Sequence, residues 1–165
     1  MRELCDSIRE PSGSGKGAVM ILDKRIVARR YELSEKARPG AVIPFSTWLD
    51  LKVQGEDLTQ VGVSFPNDKD VADLVPHLAD IPFIALSFPT YRDGRAYSQA
   101  RKLSHLFGYR GTLLAVGDVL RDQLLYMSRV GFNAFHLRDD QDPTAALRAF
   151  SLFSAFYQYA SRGER

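Results

Sequence analysis

Cysteine is almost absent from this chain: Cys5 is the only one in 165 residues. The protein can form no internal disulfide, and it cannot supply the thiolate sets of an iron–sulfur cluster or a zinc ribbon. Nothing near Cys5 lowers its pKa, so it reads as an ordinary terminal residue. Net charge is equally scarce. Twenty-two Lys and Arg oppose twenty Asp and Glu, a formal +2, and with no nucleic-acid motif present, nucleic acid is not expected as a partner. Long apolar runs are missing too. The most apolar helical stretch, 145–160, holds Arg148 and Gln158 and is too short to cross ~30 Å of hydrocarbon, so no membrane span is expected. The opening MRELCDSIRE carries charges where an export signal has its apolar centre, and a cytoplasmic location is the default expectation.

The marks of common enzyme classes are lacking as well. There is no G-x-S-x-G elbow and no G-x-G-x-x-G fingerprint, which removes the usual sign of a serine hydrolase or a nucleotide-dependent dehydrogenase. Residues 12–17, SGSGKG, imitate a phosphate loop, but Glu10 stands where a Gly is required and Gly17 where a Ser or Thr is. They read as a flexible connector. The three histidines, His77, His105 and His136, lie in separate units and match no metal motif, so no metal site is expected. His77 and His105 read as surface or partly packed positions, and His136, between Phe135 and Leu137, as a satisfied core histidine.

What is present is an ordinary globular composition, 45% hydrophobic and 25% charged, in a chain long enough to bury ~70% of its extended surface in one core. Residues 1–17 read as a flexible N-terminal segment, 18–160 as a single α/β domain and 161–165 as a tail. Val19–Leu22 and Arg25–Ala28 are β-rich runs split by Asp23 and Lys24, the pattern of a hairpin. A short strand is expected over 40–45 and a helical turn over 46–53, capped by Ser46 or Thr47, with Trp48 as a packing anchor.

From residue 61 four apolar runs of strand length, 61–65, 83–88, 112–116 and 134–137, are each followed by a helix-period segment. The first helix buries Val71, Leu74, Val75 and Leu78 after Asn67 or Asp68. The second buries Tyr97, Ala100, Leu103 and Phe107 between Asp93 and Gly108. The third runs from Asp118 to Gly131, and the fourth starts at Asp142-Pro143 and buries Ala146, Phe150, Phe153 and Tyr157. About four consecutive βα units predict parallel strands with right-handed crossovers, in a doubly wound sheet or a half-barrel.

Either architecture gathers the loops after the strands on one carboxyl edge, where α/β proteins place ligands. Charge is dense there. Arg92, Arg95, Arg121 and Arg138, with Gln123, are candidates for holding an oxyanion or a partner, since forked guanidinium donors fit sulfate-like and phosphate-like oxygens. Asp93, Asp118 and Asp122 are the candidate catalytic carboxylates, Asp118 and Asp122 having the spacing of a helical pair. The structural reading of the same residues is simpler: Asp93, Asp118 and Asp142 as helix caps, and Arg121 in a surface ion pair.

The residues of this stretch carry a family resemblance. Phe88-Pro89, Asp93-Gly94-Arg95, Tyr97-Ser98-Gln99-Ala100-Arg101, Gly108-Tyr109, Gly111 and the unbroken run from Ala115 to Gln123, followed by Gly131-Phe132, Ala134-Phe135 and Leu137, closely resemble the bacterial family catalogued as domain of unknown function 934. The resemblance covers about 61–158. Members carry an oxidoreductase label and lie beside genes for assimilatory sulfite reductase, which implies a role in sulfur assimilation. Thr112, Leu114, Asn133 and His136 depart from the family's usual charged residues, so roles that need those charges do not carry over.

Two functions follow as expectations. One is an accessory protein of sulfite reduction, with sulfite reductase as partner, a small oxyanion as ligand and a charged carboxyl edge as the binding site. The other is an oxidoreductase of sulfur metabolism with a non-covalently bound cofactor. No cofactor is named by the residues, but a chain without cluster or haem ligands cannot by itself supply the electrons that sulfite reduction needs. A homodimeric module joined through the charged edge is the third reading.

Overall fold

The order of the strands separates the two architectures left open by the sequence. In this computed structural model, which describes residues 19–151, eight strands form one sheet in the order β2-β1-β8-β7-β6-β5-β4-β3. They are β1 (Val19–Leu22), β2 (Arg25–Ala28), β3 (Glu32–Leu33), β4 (Ala41–Pro44), β5 (Gly62–Phe65), β6 (Phe83–Phe88), β7 (Thr112–Gly117) and β8 (Ala134–Phe135). From β3 to β8 the strands are parallel and lie side by side in chain order. Crossovers keep one hand, so strands that never reverse their order place every helix on the same face. The result is a curled half-barrel. The flexible segment expected over 1–17, with Cys5, the tail at 161–165, and Phe153 and Tyr157 lie outside the described residues.

Chain reach explains why the sheet must curl. β2 and β3 are its two edges, yet residues 29–31 alone join them. A flat sheet of this width would hold its edges ~34 Å apart at the usual strand spacing, whereas that linker spans at most ~14 Å. Only a sheet bent towards closure satisfies both.

The hairpin β1–β2 pairs in the register Val19↔Ala28 and Leu22↔Arg25, and Asp23 and Lys24 both adopt positive φ, 47° and 61°. Two left-handed residues in a two-residue turn match the twist of the strands they join. β1 then lies antiparallel to β8, with Ile21 opposite Phe135.

Side chains alternate between two cores. Ile43, Val63, Phe65, Ile84, Leu86, Leu113, Ala115 and Phe135 pack under the helices, with Trp48, Leu74, Ala100, Leu103 and Met127. Met20, Val42, Phe83, Ala85, Leu114, Val116 and Ala134 fill the inside of the curl, where the ring of Tyr31, from the edge-to-edge linker, packs tilted against Phe83 at 4.4 Å. Trp48 is fully buried, as its role as an anchor required.

Several expected elements differ from their sequence reading. The parallel run has six strands rather than four, because β3 and β4 join it. α1 (Phe45–Val53) starts after Pro44 with no side-chain cap, not at Ser46 or Thr47. The segment after β5 is a 3-10 helix, Val71–His77, begun by Asp70 and containing Pro76; proline has no N–H to give an α-helical bond, and Val75 is left exposed. α2 (Arg95–Arg101) widens into a π-helical turn, Lys102–Leu106, and Gly108 ends it at φ 65°. α3 (Leu124–Val130) follows a 3-10 turn, Arg121–Gln123, rather than starting at Asp118. α4 (Pro143–Ala149) begins as expected, with Asp142 accepting from the N–H groups of Thr144 and Ala145.

Candidate functional site

The carboxyl edge starts from two sharp exits. β6 ends at Phe88 and β7 at Gly117, which has φ 97°. A Cβ on Gly117 would strike the Phe88 carbonyl oxygen, so this corner requires glycine on both counts. The same oxygen accepts from the Asp118 N–H at 2.8 Å, which aims Asp118 across the edge. Buried Val119 and extended Leu120 then delay the helix.

From there, side chains tie each loop to the next. Asp118 Oδ2 accepts from the backbone N–H of Tyr91 at 2.9 Å, and Gln123 Nε2 donates to the Tyr91 carbonyl at 2.9 Å. The β6 loop is thus gripped at both polar atoms of one residue. Arg138, after β8, donates to Asp118 Oδ1 at 2.8 Å and makes a fork onto Asp140 at 2.6 and 2.7 Å. On the other side Asn67, after β5, donates to Asp93 at 2.9 Å. Asp93 also accepts from the Arg95 guanidinium at 2.6 and 3.0 Å and from the Arg95 N–H at 3.2 Å. Buried Gln99 reaches from α2 to the carbonyls of Pro66 and Lys69, at 2.8 and 2.9 Å.

These contacts set the charges. The Arg95 guanidinium, then the Arg95 N–H, hold the Asp93 carboxyl far below the usual carboxylate range. Arg138 holds Asp140 down to about 2, and its own pKa rises in return, chiefly through Asp140. Asp93 therefore stays ionised at any neutral pH. Asp122 is different: 83% exposed, it pairs with its neighbour Arg121 at 3.3 Å and shares no helix with Asp118. Neither Asp93 nor Asp118 is a helix cap of the expected kind. Asp93 lies one residue before the cap position, at Gly94, and Asp118 serves another loop.

The arginines stand outermost. Arg95, Arg121 and Arg138 have side chains 57%, 57% and 46% exposed. Arg92 donates to the Tyr91 hydroxyl at 2.8 Å and lies over that ring at 5.3 Å. Of the sequence candidates, then, Asp118, Gln123 and Arg138 join one network that holds Tyr91, Asp93 and Arg95 pair with each other beside Asn67, Arg92 lies on Tyr91, and Arg121 and Asp122 form a separate exposed pair.

His136 is buried, but only half satisfied. Its Nδ1 lies 3.2 Å from Arg29, its Nε2 has no partner among the described residues, and burial, with Arg29 adding to it, lowers its pKa to about 4. Asn133 serves the fold, accepting from the Leu113 N–H at 2.9 Å. Among the described residues no group of three or more His, Cys, Asp and Glu is placed to hold a metal, and no helix is long and apolar enough to cross a membrane.

Sequence reasoning missed a pocket of about 670 Å³ at the carboxyl ends of β4 and β5, between α1 and the 71–77 segment. Phe45, Leu49 and Pro76 form part of its apolar wall, and Lys69, Asp73 and His77 contribute polar groups. The helical period of Phe45 and Leu49 was its one visible signal, and that is equally the signature of core packing.

A family model described as a bacterial protein of unknown function (DUF934) matches residues 62–165, a span that begins at β5 and takes in the whole braced edge. No curated protein and no solved structure matches the chain.

Proposed function

The chain belongs to the bacterial protein family of unknown function DUF934, and from that premise we propose that it is a non-catalytic accessory protein whose carboxyl edge presents arginines to an anionic partner surface or a small oxyanion. The bracing of that edge carries the reading. A general acid must hold a proton near working pH, whereas Asp93 is kept ionised by Arg95. Both oxygens of Asp118 already accept from neighbouring loops. Carboxylates bound this way act as anchors, and the cations outside them, Arg92, Arg95, Arg121 and Arg138, are the groups with exposed faces to offer. Forked guanidinium donors suit carboxylate, sulfate-like and phosphate-like oxygens.

The proposed setting is sulfur assimilation in the cytoplasm, with sulfite reductase as the partner that the family resemblance implies. Co-elution with sulfite reductase tests it, using the native chain and an Arg92→Glu, Arg121→Glu double variant. Complex formation that the double variant loses while keeping its melting temperature supports docking through this edge. No complex with the native chain, together with no thermal shift from sulfate, sulfite or phosphate, would falsify the reading, since binding to the native state alone must raise the melting temperature. An oxidoreductase with a non-covalently bound cofactor is the second reading, favoured by the pocket beside β4 and β5. A yellow protein absorbing in the flavin bands after purification would bring it forward.

A further inference from the structure

The pocket at the ends of β4 and β5 has its own chemistry, apart from the arginine rim. At about 670 Å³ it lies inside the ~300–1,000 Å³ range of small-molecule sites. Phe45 and Leu49, one turn apart on α1, meet Pro76 of the 3-10 segment across it. These surfaces suit the face of a flat ring. Charge of both signs sits in the same wall. Both residues are exposed, and among the described residues the Lys69 ammonium and the Asp73 carboxylate make no ion pair, which leaves them open to a ligand. Ser46 and Ser64 add hydroxyls. His77 adds a donor, by elimination. The Lys52 ammonium lies 3.3 Å from His77 Nδ1, and an ammonium can only donate, so Nδ1 serves as the acceptor and Nε2 as the ring donor.

A ligand that satisfies this lining needs a flat heteroaromatic body, N–H donors for Asp73 and an anionic group for Lys69. We propose that the pocket binds a ligand of the mononucleotide class, its base or ring against Phe45, Leu49 and Pro76 and its phosphate at Lys69. The proposal is independent of docking through the arginine edge. Lys69 and the edge nonetheless share a framework, since Gln99 holds the Lys69 carbonyl and Asn67 holds Asp93. Occupation of the pocket is therefore placed to stiffen the loop that supports Arg95.

The test is direct binding to the full chain by calorimetry, with thermal shift in parallel, using AMP, GMP, UMP and FMN at about 1 mM, a level at which binding with a smaller Kd must raise the melting temperature. The matching nucleosides and riboflavin serve as phosphate-free controls. At least one phosphorylated probe is expected to bind, its phosphate-free form at least about tenfold more weakly. Lys69→Glu is expected to remove that difference. Ala72→Trp, which fills the pocket from an exposed position in its wall, is expected to abolish binding; Leu49→Trp replaces it if that variant does not fold. The Arg92→Glu, Arg121→Glu variant should bind the nucleotide normally, which keeps failure here distinct from failure of the docking reading. The proposal is overturned if none of the four probes binds, if the phosphate-free forms bind as well, or if a folded pocket-filled variant binds like the native chain.

Discussion

Over β6, β7 and β8 the carboxyl-edge loops are tied together by side chains, so that Asp118, Gln123, Arg138 and Asp93 each hold a neighbouring loop; over β4 and β5 the same edge opens into a pocket whose lysine and carboxylate make no ion pair among the described residues. Both halves are charged, since the loop after β5 carries Asp68, Lys69, Asp70 and Asp73; what differs is that the charges after β6, β7 and β8 are largely spent on one another. A dense cluster of polar residues in a sequence can thus mark where the chain is fastened. Charge density alone does not tell a fastened cluster from an open one.

The comparison breaks most sharply at Gly117. Alanine there must adopt a left-handed backbone and press on the Phe88 carbonyl, and it is expected to lose about 2–3 kcal/mol in urea unfolding. Asp118→Ala comes next. It leaves the Tyr91 N–H without its acceptor and Arg138 with Asp140 alone, and should lose about 1–2 kcal/mol, while Asp122→Ala, at a surface pair, should stay within about 0.5 kcal/mol. Equal losses at the two positions would sink the idea that Asp118 is a brace.

Acid separates the halves in another way. Asp93 has a folded-state pKa below its unfolded value, so the stability it adds is complete above about pH 4 and drains away as the pH falls further. In Asp93→Asn the fall in urea midpoint between about pH 6 and pH 3 should be shallower than in the native chain; an unchanged slope would remove Asp93 from the ionised network. The smallest effect belongs to the pocket. Lys69→Ala, which removes no side-chain contact between loops, should leave stability within about 0.5 kcal/mol, and a larger loss would mean that the Lys69 side chain itself holds the pocket wall.

The sequence announced the hairpin through Asp23-Lys24 and the four central strands through their apolar runs, because those signals are local. It could not choose between a doubly wound sheet and a half-barrel, since both use the same βα pattern and differ only in where each crossover lands. β3 escaped notice for a related reason: Glu32 and Leu33 are both exposed and have no apolar period to read. Within the site, location was legible and role was not. Asp118 to Asp122 has helical spacing, but Gly117 and the extended Leu120 postpone the helix, and spacing counts residues without seeing φ. The pocket was hidden because its walls come from segments some thirty residues apart.

The antiparallel contact between β1 and β8 bears on how the chain is made. Of the eight strands, the first to leave the ribosome lies against the last, since Ile21 waits for Phe135. During synthesis the β1–β2 hairpin has nothing beside it, and one side of β7 stays unpaired until β8 arrives. Arrest of translation just before β8 would therefore leave a chain whose apolar strand edges are free to find other chains. Nascent chains halted there should aggregate or hold chaperones, and those released a few dozen residues later should not.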